Sequence, residues 1–157
     1  MIAAVLAIMG VPRMAAGACL LCTCLTSATG VSFGSYDALS PVNTDSAGYV
    51  GVTCVTVNLT AVATAYTIAL STGSSGSFAS RHLNFGGNRL DYNLYTDSSR
   101  TTVWGDGTGS SSVVSDSYML SPGLGESRTY TAYARLPAHQ NVPIGVYLDL
   151  IVVTVTY

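Results

Sequence analysis

The side chains in this chain whose type and spacing could do chemistry are four cysteines, two histidines and three aspartates set among glycine turns. Cys19, Cys22 and Cys24 have the close spacing of a metal cluster, but only Cys54 and the isolated His82 and His139 could complete it. In an oxidising compartment an even cysteine count reads instead as disulfides, and four cysteines allow three pairings. A bridge between Cys24 and Cys54 would tie the first strand to the second. Closing a loop of about thirty residues would contribute ~3 to 4 kcal/mol in the chain-entropy picture. Cys19 and Cys22 would then pair locally or form other links. Catalysis needs a nucleophile, a base and an orienting group, and the sequence signals no serine or carboxylate partner for either histidine. Asp91, Asp97 and Asp106 could supply calcium ligands, yet carboxylates in Gly-rich turns more often form Asx-turns. The run Gly105-Asp106-Gly107-Thr108-Gly109 lacks the lysine and the following helix of a phosphate loop. Trp104 is either a ligand platform or a core residue. The residues therefore predict no enzyme, no cofactor and no metal.

Composition sets the frame that must position these residues. The 157 residues suit one domain with a real core. An apolar fraction of 48% against 9% charged residues excludes a disordered chain. The six cations are all arginine and the net charge is −2, so no basic surface invites nucleic acid. Met1 to Val11 is an apolar run, and Ala16-Gly17-Ala18 fits the small-x-small rule of signal peptidase. Residues 1–18 are thus predicted to be a signal peptide and 19–157 the exported domain, although no basic residue precedes the apolar run. No run in the mature part approaches the ~20 apolar residues of a membrane span.

Beyond the leader, no stretch of ten residues has a helical period. Short strands are predicted at Val31–Gly34, Gly48–Val57, Tyr66–Ser71, Arg81–Phe85, Leu90–Tyr95, Thr101–Trp104, Val113–Leu120 and Ser127–Leu136. Gly86-Gly87-Asn88 is a hairpin turn between two of them. The last stretch, Val146 to Tyr157, is long and apolar, with a single charge at Asp149 and neither Gly nor Pro. Alternation puts Ile151, Val153, Val155 and Tyr157 on one face and Leu148, Leu150, Val152, Thr154 and Thr156 on the other. No later strand follows to cover it. About seven principal strands punctuated by Gly and Ser indicate an all-β sandwich.

Several separated motifs resemble the spore coat protein U family, which also supplies subunits of archaic chaperone–usher pili. They are Cys24 to Asp37, Cys54, Tyr66 to Ser71, Leu90 to Gly109, the Arg135-Leu136-Pro137 corner, Gln140 to Pro143, and Val153 to Tyr157. The resemblance implies an all-β, incomplete immunoglobulin-like sandwich of about seven strands that lacks its final strand. It implies a secreted structural or adhesive pilus subunit that accepts a donor strand along Ile151, Val153, Val155 and Tyr157. Its partners would be a periplasmic chaperone, an outer-membrane usher and neighbouring subunits. The expected disulfide joins Cys24 and Cys54, with Cys19 and Cys22 as a second pair. Only Cys19 to Thr23 lie between the predicted cleavage site and Cys24, where a rod subunit carries a donor extension, so a tip position is expected. The competing readings are a secreted coat or matrix protein of the same fold, and a carbohydrate-binding tip module using Trp104 and surface tyrosines.

Overall fold

A computed structural model describes the backbone of residues 4–13 and the full detail of residues 22–157. Nine strands follow one another: β1 (Ala4–Arg13), β2 (Cys22–Thr29), β3 (Thr44–Thr56), β4 (Val62–Leu70), β5 (Arg81–Phe85), β6 (Asn88–Tyr95), β7 (Val114–Leu120), β8 (Gly125–Leu136) and β9 (Tyr147–Thr156). A single 3₁₀ turn, Gly73–Ser75, lies between β4 and β5. Among the described residues no helix is long and apolar enough to cross a membrane.

Strands β2 to β9 form an open antiparallel sandwich in the order β2-β3-β8-β6-β5-β9-β4-β7. Strand β6 belongs to both layers: it pairs with β5 through Arg81↔Tyr92 and with β8 through Asn93↔Arg135, Leu94↔Ala134 and Tyr95↔Tyr133. This is the all-β architecture expected. The layers enclose a core of Val50, Val52, Cys54, Ile68, Leu70, Leu83, Leu90, Leu94, Trp104, Leu136, Ile151, Val153 and Val155, all at 2% exposure or less. Period-two burial is the reason these segments are strands. In β9 the buried residues are Tyr147, Asp149, Ile151, Val153 and Val155, and every residue between them is more open to solvent.

Most strand predictions hold to within a few residues at the ends. Two short ones do not. Val31 and Phe33 are core residues, but Val31–Gly34 forms no named strand, and the first described strand of the sandwich is β2. Gly30 and Gly34 bracket a segment too short to sustain a ladder. Thr101–Trp104 contributes only isolated bridges, Tyr95↔Val103 and Trp104↔Ser112. The β5–β6 hairpin turns at Gly86 and Gly87 (φ 54° and 86°), a left-handed pair that matches the twist of the flanking strands.

Candidate acceptor edge on the last strand

Strand β9 has two edges, and its neighbours within the sandwich share one of them. Thr67–Leu70 of β4 pair with Val153–Thr156, and Asn84 of β5 pairs with Leu148. Between these two contacts Ser71 takes both backbone groups of Val152: its N–H donates to the Val152 carbonyl (2.9 Å), and its Oγ accepts from the Val152 N–H (2.9 Å). Backbone groups alternate in direction along a strand, so the odd-numbered residues from Tyr147 to Val155 aim theirs at the opposite edge. There the partner is β1, which runs parallel to β9 in unbroken register from Ala4↔Tyr147 to Arg13↔Thr156. It also approaches β2 at the far side of the gap. Residues 4–13, which overlap the segment predicted as a signal peptide, thus lie along the edge that the last strand presents. The cleavage site at Ala18 and the residue Cys19 lie outside the described residues.

The predicted acceptor residues Ile151, Val153, Val155 and Tyr157 come together on one buried face. Asp149 shares their parity and is buried as well, which the reading of apolar side chains missed. A lone charge on an apolar strand face requires built-in partners, and that was the available signal. Its Oδ2 accepts from Tyr92 Oη (2.7 Å) and its Oδ1 from the Ser74 N–H (2.9 Å). Gly73 makes this possible: it sits at φ 64°, and a Cβ there would lie 2.1 Å from Asp149 Oδ2. Burial first, then the Asp149 charge, raises the pKa of the Tyr92 phenol well above its ordinary value.

A second buried polar group anchors the same loop from the other side. Arg81 is fully buried and splits its guanidinium among Asn93 Oδ1 (2.7 Å), the Trp104 carbonyl (2.7 Å) and the Ser71 carbonyl (2.9 and 3.1 Å). It packs over the Phe78 ring at 5.1 Å. Desolvation lowers its pKa from the ordinary arginine value. Arg81 therefore fixes Ser71, and Ser71 fixes Val152 at the centre of β9. No sequence pattern marked this arginine, because its partners are mostly backbone carbonyls contributed by distant loops.

The remaining sequence candidates fall as follows. Cys24 and Cys54 are bonded, across a sequence separation of 30, between directly paired positions of β2 and β3. Cys22 is also disulfide-bonded, and among the described residues no cysteine is free. Trp104 is wholly buried and donates its indole N–H to the Ile68 carbonyl (3.0 Å), so it is a core residue and offers no platform to a sugar. Asp97 accepts from the N–H groups of Thr101 and Thr102, and Asp106 from the N–H and the hydroxyl of Thr108; both are turn caps with lowered pKa values. Among the described residues no three His, Cys, Asp or Glu side chains converge as a metal set. The Arg135-Leu136-Pro137 corner has a structural purpose. Arg135 clamps Asp45 in a bidentate pair (2.7 and 2.8 Å), and the Pro137 carbonyl accepts from Tyr36 Oη (2.9 Å). Gln140 imitates a strand there, accepting from the Asp91 N–H (2.6 Å) and donating to the Asp91 carbonyl (2.8 Å).

An open all-β sandwich whose last strand is paired on its outer edge by a strand from outside the sandwich order is the class that this geometry defines. The Spore Coat Protein U domain model matches residues 12–154, and the chain belongs to that family. Among curated relatives it is similar to Protein U of Myxococcus xanthus, 28% identical over 137 residues that make up 81% of this chain and 71% of that protein. Among solved structures it is similar to a chain in the CsuC–CsuE chaperone–tip adhesion subunit pre-assembly complex from archaic Csu pili of Acinetobacter baumannii. That likeness has a TM-score of 0.49 and 22% identity over 87% of this chain, and the chain spans 40% of the length of that structure's chain.

Proposed function

We propose that this protein is a non-enzymatic subunit of a secreted surface fibre of the chaperone–usher type, completed by a strand from another chain. The observation that supports this reading is the β9 edge. All ten residues of β9 have register partners in a strand that comes from outside the sandwich order. Left uncovered, that edge would expose a row of unpaired backbone groups beside buried apolar side chains, a template for aggregation. Strand addition satisfies the backbone groups and buries the side chains together. In this reading residues 1–18 direct export and are removed, a periplasmic chaperone lends the first strand, an outer-membrane usher exchanges it, and a neighbouring subunit supplies the final one. The test is to purify residues 19–157 alone and with a periplasmic chaperone of the chaperone–usher class co-expressed from the same organism. The expected result is a soluble one-to-one complex with the chaperone and aggregation without it. A stable monomer that ignores the chaperone would overturn the reading in favour of a coat or matrix protein.

An adhesive position at a fibre end is favoured by one further feature. The loops 57–61 and 121–124 are joined by the Gly123 N–H to the Asn58 carbonyl (3.1 Å) and the Thr56 N–H to the Leu124 carbonyl (3.4 Å). Together they present Val57, Leu59 and Leu124 at 89%, 94% and 61% exposure, a clustered apolar patch held on short rigid loops. Serine at all three positions is expected to weaken retention on an alkyl-coated surface several-fold without moving the melting temperature.

A further inference from the structure

We propose that the N-terminal segment Ala4–Arg13 is an intramolecular plug: it occupies the chain's own β9 edge as a parallel strand, and removal of the leader opens that edge to another chain. The inference rests on the acceptor reading of β9 and names what fills the edge before any partner does. Three observations carry it. The register is continuous over the whole of β9, from Ala4↔Tyr147 to Arg13↔Thr156, so the segment leaves no residue of the strand uncovered. The segment, AVLAIMGVPR, has no charge before its last residue and is β-compatible until Pro12, which has no N–H to donate and sits at the end of the ladder. The edge it meets is the one to which Tyr147, Asp149, Ile151, Val153 and Val155 direct their backbone groups, since β4, Ser71 and β5 already use the other.

The consequence is an order of events. A precursor that retains its leader is self-complemented and closed to a donor strand. The cleaved chain is open and must be captured. The same residues thus serve as an export signal and as a block on premature strand exchange.

The test uses the full chain with its leader kept, and reads the plug directly. Met9 and Val152 are register partners. In the M9C/V152C variant mild oxidation is expected to give a new intramolecular cross-link, whereas M9C/L148C, displaced by four residues, is expected to give little. Hydrogen exchange supplies the second reading. Met9→Pro, which removes the N–H that faces the Ile151 carbonyl in this parallel register, is expected to speed exchange at the amides of Ile151, Val153 and Val155 at least tenfold while leaving the β3–β8 ladder unchanged. A synthetic peptide of residues 4–13 added to that variant is expected to restore the protection. Equal cross-linking in both cysteine pairs, or β9 amides indifferent to Met9→Pro, would overturn the plug. Chaperone capture of residues 19–157 is measured separately, so the plug can fail while the acceptor reading stands.

Discussion

Arg81, wholly buried, ties Ser71, Asn93 and Trp104 together through one guanidinium. Its guanidinium fork meets two carbonyls and an amide oxygen in directions that only a planar group can satisfy together. Lysine at this position would keep the charge and lose the fork, leaving at least one buried carbonyl or the Asn93 oxygen without a donor. Arg81→Lys is expected to destabilise the protein by about 2 to 3 kcal/mol in chemical denaturation, the cost of losing charge-assisted hydrogen bonds in a buried site. Because Ser71 links Arg81 to Val152, the same substitution is expected to loosen the centre of β9. Hydrogen exchange at the Val152 amide should therefore rise more than exchange in β3. Asp149 behaves as a complement: Asp149→Leu fits the parity of the strand but strands the Tyr92 hydroxyl and the Ser74 N–H, at a cost of about 1 to 3 kcal/mol each.

At the scale of elements, the disulfide and the register decide what the edge strands can do. Strand β2 meets β3 by eight residue pairs, with Cys24 opposite Cys54 as the third. Replacing both cysteines by alanine is expected to cost ~3 to 4 kcal/mol, seen as a lower denaturant midpoint with little change in slope. β2 and β9 stand on either side of the gap that β1 enters, so a looser β2 is also expected to weaken capture of a donor strand. Much of this level was legible in the sequence. The alternation in Val146–Tyr157 fixed its buried face, the paired glycines fixed the β5–β6 turn, and Cys24 and Cys54 were named as partners. What escaped was non-local. Val31 and Phe33 have strand-like side chains but serve as core plugs in a connection. The parallel seat of residues 4–13 on β9 could not be read from composition either, because an apolar leader and an apolar strand have the same local chemistry.

Over the whole molecule, the ionisable groups predict one asymmetric pH profile. Burial raises the phenol pKa of Tyr66, Tyr92, Tyr118 and Tyr130, with Asp149 reinforcing the shift at Tyr92 and Asp116 at Tyr130; Tyr118 is pushed up to about 12. A raised pKa in the folded state means that the native protein holds these protons more tightly than the unfolded chain, whose phenols titrate near 10.0. Their stabilisation is therefore complete below pH 10 and is lost as the pH climbs from there toward the folded values. Asp45 acts in the opposite sense. Its hydrogen bonds from Arg135, with help from Arg100, lower its pKa below the ordinary 3.8, so its contribution is complete above that value and fades as the pH falls through it. The acid limb is the smaller one, since Asp45 is exposed and its ion pair is screened by solvent. The melting temperature is expected to be flat between about pH 5 and 9, to dip mildly below pH 4, and to fall steeply above pH 10. Tyr130→Phe separates the phenols, because it removes the hydroxyl that joins Tyr66 to Asp116. That variant should melt lower at neutral pH, yet lose less of its remaining stability between pH 10 and 12 than the unsubstituted protein. An alkaline limb that kept its full depth in Tyr130→Phe would show that the remaining buried phenols, Tyr66, Tyr92 and Tyr118, govern it without Tyr130.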